Sequence, residues 1–291
     1  MNRLDNSSVK ALISLLEDPS EIIFNEIYQT ILFLGEDGIP HLQFAFDESE
    51  SELQKERIAK ILDELKLEKL GNDLNSWKEF HSEDLLAGLI LIARYGYPNL
   101  EIVEIEKTLN AIEIMVMNKI KGKTNVEIAH ILNQVILFDF GFNGNIRNYS
   151  GINNSFINKV IENKISNPIG LSIIYLLIAK RLNISLVGIN SPNHFVLGYV
   201  NDKYTDTAII DGSVMDNIDF YVDPFNNGLM MNVDDFDAML LAVPYALVDK
   251  KFLPATNIDI VKRVMNNLIY ALFTTGEKTT AEELLNINAT L

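Results

Sequence analysis

No cysteine occurs in the 291 residues. A chain without thiols forms no disulfide, builds no thiolate metal site and has no thiolate of its own with which to attack an acyl group. Positive charge is also scarce: 24 Lys and Arg stand against 40 Asp and Glu, a net charge of −16. No basic cluster offsets that field, which repels phosphate backbones, so nucleic acid is not an expected partner. Long apolar runs are missing too. Stretches such as Leu171 to Ala179 are far too short to span a bilayer. Met1 to Lys10 lack the apolar run of a signal peptide. No membrane role is expected, and a cytoplasmic location is, in keeping with the absence of cysteine.

What is present argues for a packed protein. Hydrophobic residues make up 48% of the chain, ample for an interior and unlike a disordered sequence. The length is large for one core, which predicts one medium domain with helical additions. Val9 to Leu16 and Ile22 to Leu34 repeat apolar residues at helical spacing. Asp18-Pro19-Ser20 divides them, with Ser20 available as an N-cap, and Gly35 to Leu42 reads as a break and a third helix start. Glu48 to Glu56 is acidic and reads as a solvated helix start or loop. A helix carrying Leu53, Ile58, Ile61, Leu62 and Leu65 follows. Gly71 to Lys78, which holds the only Trp, reads as a polar connection.

Three longer helices are predicted over Asp84 to Tyr95, Ile102 to Ile120 and Val126 to Phe138, the last capped by Thr124 or Asn125. Met115, Met117, Met230 and Met231 are expected to fill core gaps. Gly141 to Gly151, rich in Gly and Asn, predicts an irregular loop. Asn154 or Ser155 is the expected cap of the next helix, with Phe156, Val160 and Ile161 inward. Asn167-Pro168 then opens a central helix: Asn as N-cap, Pro at the first helical position, where its missing N–H costs nothing. Ile169 to Ala179 places apolar residues on nearly every face, so this helix must be wrapped by other elements. Lys180, Arg181 and Asn183 supply its stop signal. Beyond it the pattern shifts to short β-type runs at Ser185 to Ile189, His194 to Val200, Thr207 to Ile210 and Phe220 to Val222. If these pair antiparallel, His194 at one strand's start and Asp223 at another's end can meet at one sheet edge. A helix near Val233 to Leu241 and a terminal pair, Asp259 to Leu272 and Thr280 to Leu285, complete the chain.

Several separated motifs run in a fixed order: Gly141-Phe142-x-Gly144-Asn145, Asn154-Ser155-Phe156, Pro168-Ile169-x-Leu171-Ser172, Pro192-x-His194-Phe195, Asp223-Pro224-Phe225 and Arg263-Val264-Met265-Asn266-Asn267-Leu268. Across about Leu85 to Leu272 the sequence resembles the bacterial SirB-type branch of the transglutaminase-like superfamily. The resemblance implies an α+β fold with a papain-like core, a buried central helix packed on a small antiparallel sheet. A helical HEAT-like segment (1–78) is expected before this domain (79–245), and a C-terminal helical pair (246–291) after it. In transglutaminases proper a Cys begins the central helix, a His opens a strand and an Asp or Asn follows on the next. The resemblance puts Pro168 in the place of that Cys, His194 in the place of the base and Asp223 in the place of its orienting acid. Asn193 stands where the branch tends to have Gly.

Proline has no nucleophilic atom and no N–H, so thiol acyl transfer is excluded. Ser172, one turn beyond Pro168, is a weak substitute nucleophile. Phe142, Asn145, Tyr149, Asn154 and Asn193 are the expected cleft-lining residues. His41, His81 and His130 are scattered and no His-Glu-x-x-His occurs, so neither metal nor cofactor is expected. The function that follows is a non-catalytic protein- or peptide-binding module, with a hydrolase or acyltransferase using His194 and Asp223 with a serine or water as the alternative.

Overall fold

The computed structural model describes residues 6–191, 194–201, 209, 213–241 and 254–291. The chain divides into two compact units between Asp73 and Leu74. Among the described residues no helix is long and apolar enough to cross a membrane.

The first unit is helical: α1 (Asn6–Ser14), α2 (Glu21–Leu34), α3 (Ile39–Glu48) and the first part of α4 (Glu52–Phe80). Ser20 caps α2 by accepting from the Ile23 N–H, and Pro40 sits in the first turn of α3. Ile13, Leu16, Ile31, Leu42, Ile58 and Ile61 meet in one core, each burial contributing about 1.5–3 kcal/mol. Arg57 is a buried cation with several partners. It donates to the Leu16 and Asp18 carbonyls, pairs with Glu21 at 2.8 Å and lies over the Phe24 ring.

The polar stretch Gly71 to Lys78 is not a connection. It continues α4 without a break, because Leu70, Leu74 and Trp77 keep the helical spacing and are buried. One internal Gly costs only about 0.5–1 kcal/mol, less than these contacts return.

In the second unit α5 (Leu85–Gly96) is capped by the Asp84 carboxylate, which accepts from Ala87 N. Then come α6 (Ile102–Ile120), α7 (Asn125–Asn133), running on as a π-helical turn over Gln134–Asp139, α8 (Ile157–Asn163) and α9 (Pro168–Leu182). Met115 and Met117 are exposed, not core: the buried stripe of α6 is Ile105, Leu109, Ile112 and Val116, and neither Met falls on it. Two residues each from β1 (Asn143–Gly144) and β2 (Ile165–Ser166) pair in parallel. A five-stranded antiparallel sheet contains β3 (Leu186–Ile189), β4 (Val196–Val200), β5 (Ile218–Asp223), β6 (Leu229–Met231) and β7 (Pro254–Ala255), in the order β6-β5-β4-β3-β7. Of the expected strand Thr207 to Ile210, only Ile209 is among the described residues, and it is helical.

The sheet is covered on both faces, and the two-residue alternation of strands sorts its side chains. Val187, Ile189, Val196, Tyr221 and Met231 cluster with Phe236 and Leu240 of α10 (Val233–Leu241), the Tyr221 and Phe236 rings stacking 3.9 Å apart. Leu186, Leu197, Tyr199 and Val222 turn the other way, toward Ala129 and Leu132 of α7 and Tyr175 of α9. Of the fifteen residues of α9, eleven are buried on all sides of the helix. Helices α11 (Asn257–Thr275) and α12 (Lys278–Thr290) pack together and close the unit, α11 opening with a Thr256/Asp259 capping box.

Two predictions follow from local packing and charge. A Cβ on Gly88 of α5 would stand 2.8 Å from the Trp77 ring and 3.0 Å from Val261. The rigid ring cannot step aside, and overpacking costs about 1–3 kcal/mol, more than the ~0.5–1 kcal/mol of helix propensity that Ala adds. Gly88→Ala should therefore lower the urea midpoint, read by the fluorescence of Trp77. At the start of α7, the Lys123 ammonium first and the Thr124 N–H second hold the Glu127 carboxyl down at about 2, against an ordinary 4.5. A carboxyl held down stabilises the fold above its ordinary value and loses that contribution as pH falls through the lowered one. Glu127→Gln should melt below the wild type at pH 6, and the gap should close by about pH 2.

Candidate functional site

Asp223 ends β5 and His194 lies two residues before β4, which is its antiparallel neighbour. The pairing of Leu197 with Val222 brings the start of one strand to the end of the other. The two side chains meet: His194 Nε2 lies 2.7 Å from Asp223 Oδ2. Asp223 has no exposed surface, while His194 is 20% exposed, so the pair has a buried acid and an imidazole edge that solvent reaches.

A buried carboxylate needs donors on both oxygens, and a tight turn supplies them. Asp223 Oδ1 accepts from the Phe225 and Asn226 backbone N–H groups at 3.1 and 3.2 Å, and Oδ2 accepts from Asn226 Nδ2 at 2.6 Å as well as facing His194. The turn is itself tied to the helices. Asn133, buried at the end of α7, donates to the Gly228 carbonyl at 2.7 Å and accepts from the Tyr175 hydroxyl of α9 at 2.9 Å. Burial drives the Tyr175 phenol well above its ordinary range, which keeps it a neutral donor. Nδ1 of His194 makes no hydrogen bond to a described residue.

The start of α9 is built as its sequence dictates. Asn167 accepts from the Gly170 N–H at 3.0 Å and Pro168 is the first helical residue. Gly170 is required there, because a Cβ would run into Ser166 Oγ and the Asn154 carbonyl. Ser172, one turn on, is completely buried, and its hydroxyl has no hydrogen-bond partner; it makes no bond to His194.

The expected cleft residues divide. Phe142 is fully buried and Asn154 nearly so, whereas Asn145 is half-buried and Tyr149 is partly exposed. Asn193 lies outside the described residues. Asn154 does not cap α8; an extra 3-10 turn at Ile152–Ser155 shifts the helix start to Ile157, and Phe156 takes the cap position without a side-chain bond. The amide of Asn154 instead holds the preceding loop, donating to the Asn148 and Tyr149 carbonyls at 2.9 Å and accepting from Asn145 Nδ2 at 3.0 Å. That loop sets Tyr149 edge-on to Phe225 at 5.6 Å, and Phe225 is in turn edge-on to His194 at 6.2 Å.

Arg263, Asn190, Phe225 and Asn226 were not among the candidates read from the sequence. Asn226 had a local signal, since Asp-Pro-Phe-Asn is a side-chain-capped turn pattern. Arg263 stood only in the late motif Arg263 to Leu268, with nothing to give it a site role; from α11 it donates to Asn190 Oδ1 at 3.0 Å. Burial pushes the Tyr149 phenol up, the Arg263 charge opposes that rise and the Asp223 charge adds to it, so Tyr149 feels both ions. A broad depression of about 760 Å³, lined by Asn125, Val126, Phe220, Met230 and Asn232 among others, includes neither His194 nor Asp223 in its walls.

A family model described as the transglutaminase-like superfamily matches residues 103–266, more than half of the chain, and the chain belongs to that superfamily. Among curated proteins, F-box only protein 21 of Homo sapiens is 22% identical over 240 residues, covering 72% of this chain and 36% of its own length. The Mus musculus protein of the same name aligns with the same identity and coverage. A UPF0162 protein of Xylella fastidiosa is 28% identical over 159 residues, 52% of this chain and 49% of its own. The chain thus spans between about a third and a half of the length of these relatives. No solved structure matches the chain.

The Asn154 clamp gives a direct test of loop order. Asn154→Ala removes donors from two carbonyls and should cost about 1–3 kcal/mol. Backbone hydrogen exchange at residues 145–150 should quicken, with exchange in α9 close to wild type.

Proposed function

We propose that this member of the transglutaminase-like superfamily is a peptide-binding module of the SirB-type branch that works without covalent catalysis. The supporting observation is an intact His194–Asp223 pair in a chain whose central helix begins with Pro168. In acyl transfer a nucleophile attacks the acyl carbon, hands its proton to the imidazole and leaves an oxyanion that needs N–H donors. Pro168 offers neither an attacking atom nor an N–H, and the chain has no cysteine to stand in. The Ser172 hydroxyl is sealed in the core. What the pair retains is hydrogen-bonding capacity at a partly exposed edge, flanked by the Tyr149 and Phe225 rings, a surface suited to a peptide backbone. With a net charge of −16, a polypeptide is a better partner than a nucleic acid. The short helices of the first unit, read as a HEAT-like repeat, would offer a second protein-facing surface.

One observation favours a second reading, hydrolysis by an activated water: Nε2 is held by Asp223 while Nδ1 is uncommitted, the arrangement a general base requires. A screen of esters, thioesters and amides with wild type and His194→Ala separates the two. Equal background rates in both are expected. General-base catalysis is worth about 10²–10⁴-fold, so a His194-dependent rate of that size would establish the water route and overturn the non-catalytic reading.

A further inference from the structure

Three described arginines are withdrawn from solvent: Arg57, Arg181 and Arg263. Two have carboxylate partners. Arg57 pairs with Glu21 at 2.8 Å, and Arg181 pairs with Glu106 at 2.7 Å and Glu113 at 3.4 Å. Arg263 has none among the described residues. Its one hydrogen bond goes to the neutral amide oxygen of Asn190, so most of the donors of its guanidinium fork are uncommitted. In a chain with 40 acidic residues, a partly buried arginine without an acid among the described residues is a departure from the pattern of Arg57 and Arg181. Burial lowers the Arg263 pKa from its ordinary value, and the nearby Tyr149 opposes that shift.

The position of this cation ties it to the pair already described. Asn190, its partner, precedes His194 by four residues on the same β3–β4 connection. Tyr149, whose ring packs on Phe225 beside His194, feels the Arg263 and Asp223 charges together. A partly buried guanidinium at the rim of a site, short of a counter-ion, is the arrangement that captures a planar anion through two parallel N–H···O bonds. The net charge of the chain narrows the choice: long-range repulsion grows with ligand charge, so a single carboxylate is penalised less than a phosphate dianion or a polyanion.

We infer that Arg263 is the anion-binding residue of the His194 site and that the ligand is a peptide carrying a carboxylate there, either a C-terminal carboxylate or an acidic side chain. The inference rests on the peptide-binding reading above and adds the chemical class of the bound group. Both sources of the carboxylate share the same contact, and the peptides used in the test tell them apart.

The test titrates isotopically labelled full-length protein with three small peptides, following the amide and imidazole resonances of the site by NMR. N-acetyl-glycyl-glycine presents a terminal carboxylate, its C-terminal amide presents none, and N-acetyl-glutamic acid amide presents only a side-chain carboxylate. One of the acids should bind about tenfold or more tightly than the neutral peptide, and added salt should erode the preference. The acid that binds identifies the source. Arg263→Gln should abolish the preference, and Arg263→Lys, which keeps charge but loses the fork, should retain part of it. Melting curves of both variants check that they fold. Equal binding of acids and amide, absence of binding by all three, or an undiminished preference in Arg263→Gln would each overturn the inference. Failure of the underlying reading looks different: His194-dependent cleavage of the neutral amide would mark an enzyme, whatever the carboxylate preference.

Discussion

A helix with apolar residues on every face is unstable unless something covers every face, and α9 imposes that demand on the second unit. The sheet takes one side through β3 and β4, and α6, α8 and α11 take others. The functional geometry is a by-product of this enclosure. Because α9 must be wrapped, its N-terminus is brought against the β1/β2 pair, and the close approach there is possible only with Gly170 at the contact. Its Tyr175 reaches across to Asn133 and through it to the turn that carries Asp223. Packing and polar satisfaction are thus one system, in which the core helix also fixes the acid of the site.

The sequence was most legible where period and punctuation agree. The start of α9 at Asn167-Pro168, the Ser20 cap of α2 and the Thr124 cap of α7 each combine a side-chain oxygen with a following apolar repeat. The antiparallel meeting of His194 and Asp223 was legible for the same reason, since two short strands of opposite direction leave few other arrangements. Less legible were features set by contacts distant in sequence. Gly71 looked like a break because its neighbours are polar, yet Leu70, Leu74 and Trp77 decide the matter by burial. Asn154 looked like a cap because it precedes a helix, yet three groups of the 145–149 loop claim its amide. Strands β1, β2, β6 and β7 are two or three residues long, too short for any period to show.

Among the described residues, buried polar groups without partners are few and not equivalent. The buried hydroxyls of Ser155, Ser172 and Ser191 are left without hydrogen bonds, and a hydroxyl so placed costs about 1–3 kcal/mol. Arg263 differs in kind because its uncommitted donors lie at a partly exposed edge, where an external acceptor has access. Placing Arg57 and Arg181 beside it makes the contrast concrete: the same side chain, buried in Arg57 and half-buried in the other two, meets an internal carboxylate in two cases and a neutral amide in the third.

The Nε2–Asp223 contact also fixes a direction. A carboxylate only accepts, so in the neutral imidazole the proton sits on Nε2 and the lone pair on Nδ1 is left without a donor among the described residues. With Arg263 as the anion-binding residue inferred above, the site would offer an acceptor at His194 and donors at Arg263, two opposite signs. A chain lying across them cannot be turned end for end without setting lone pair against lone pair, so the polarity of the backbone itself is what such a surface discriminates.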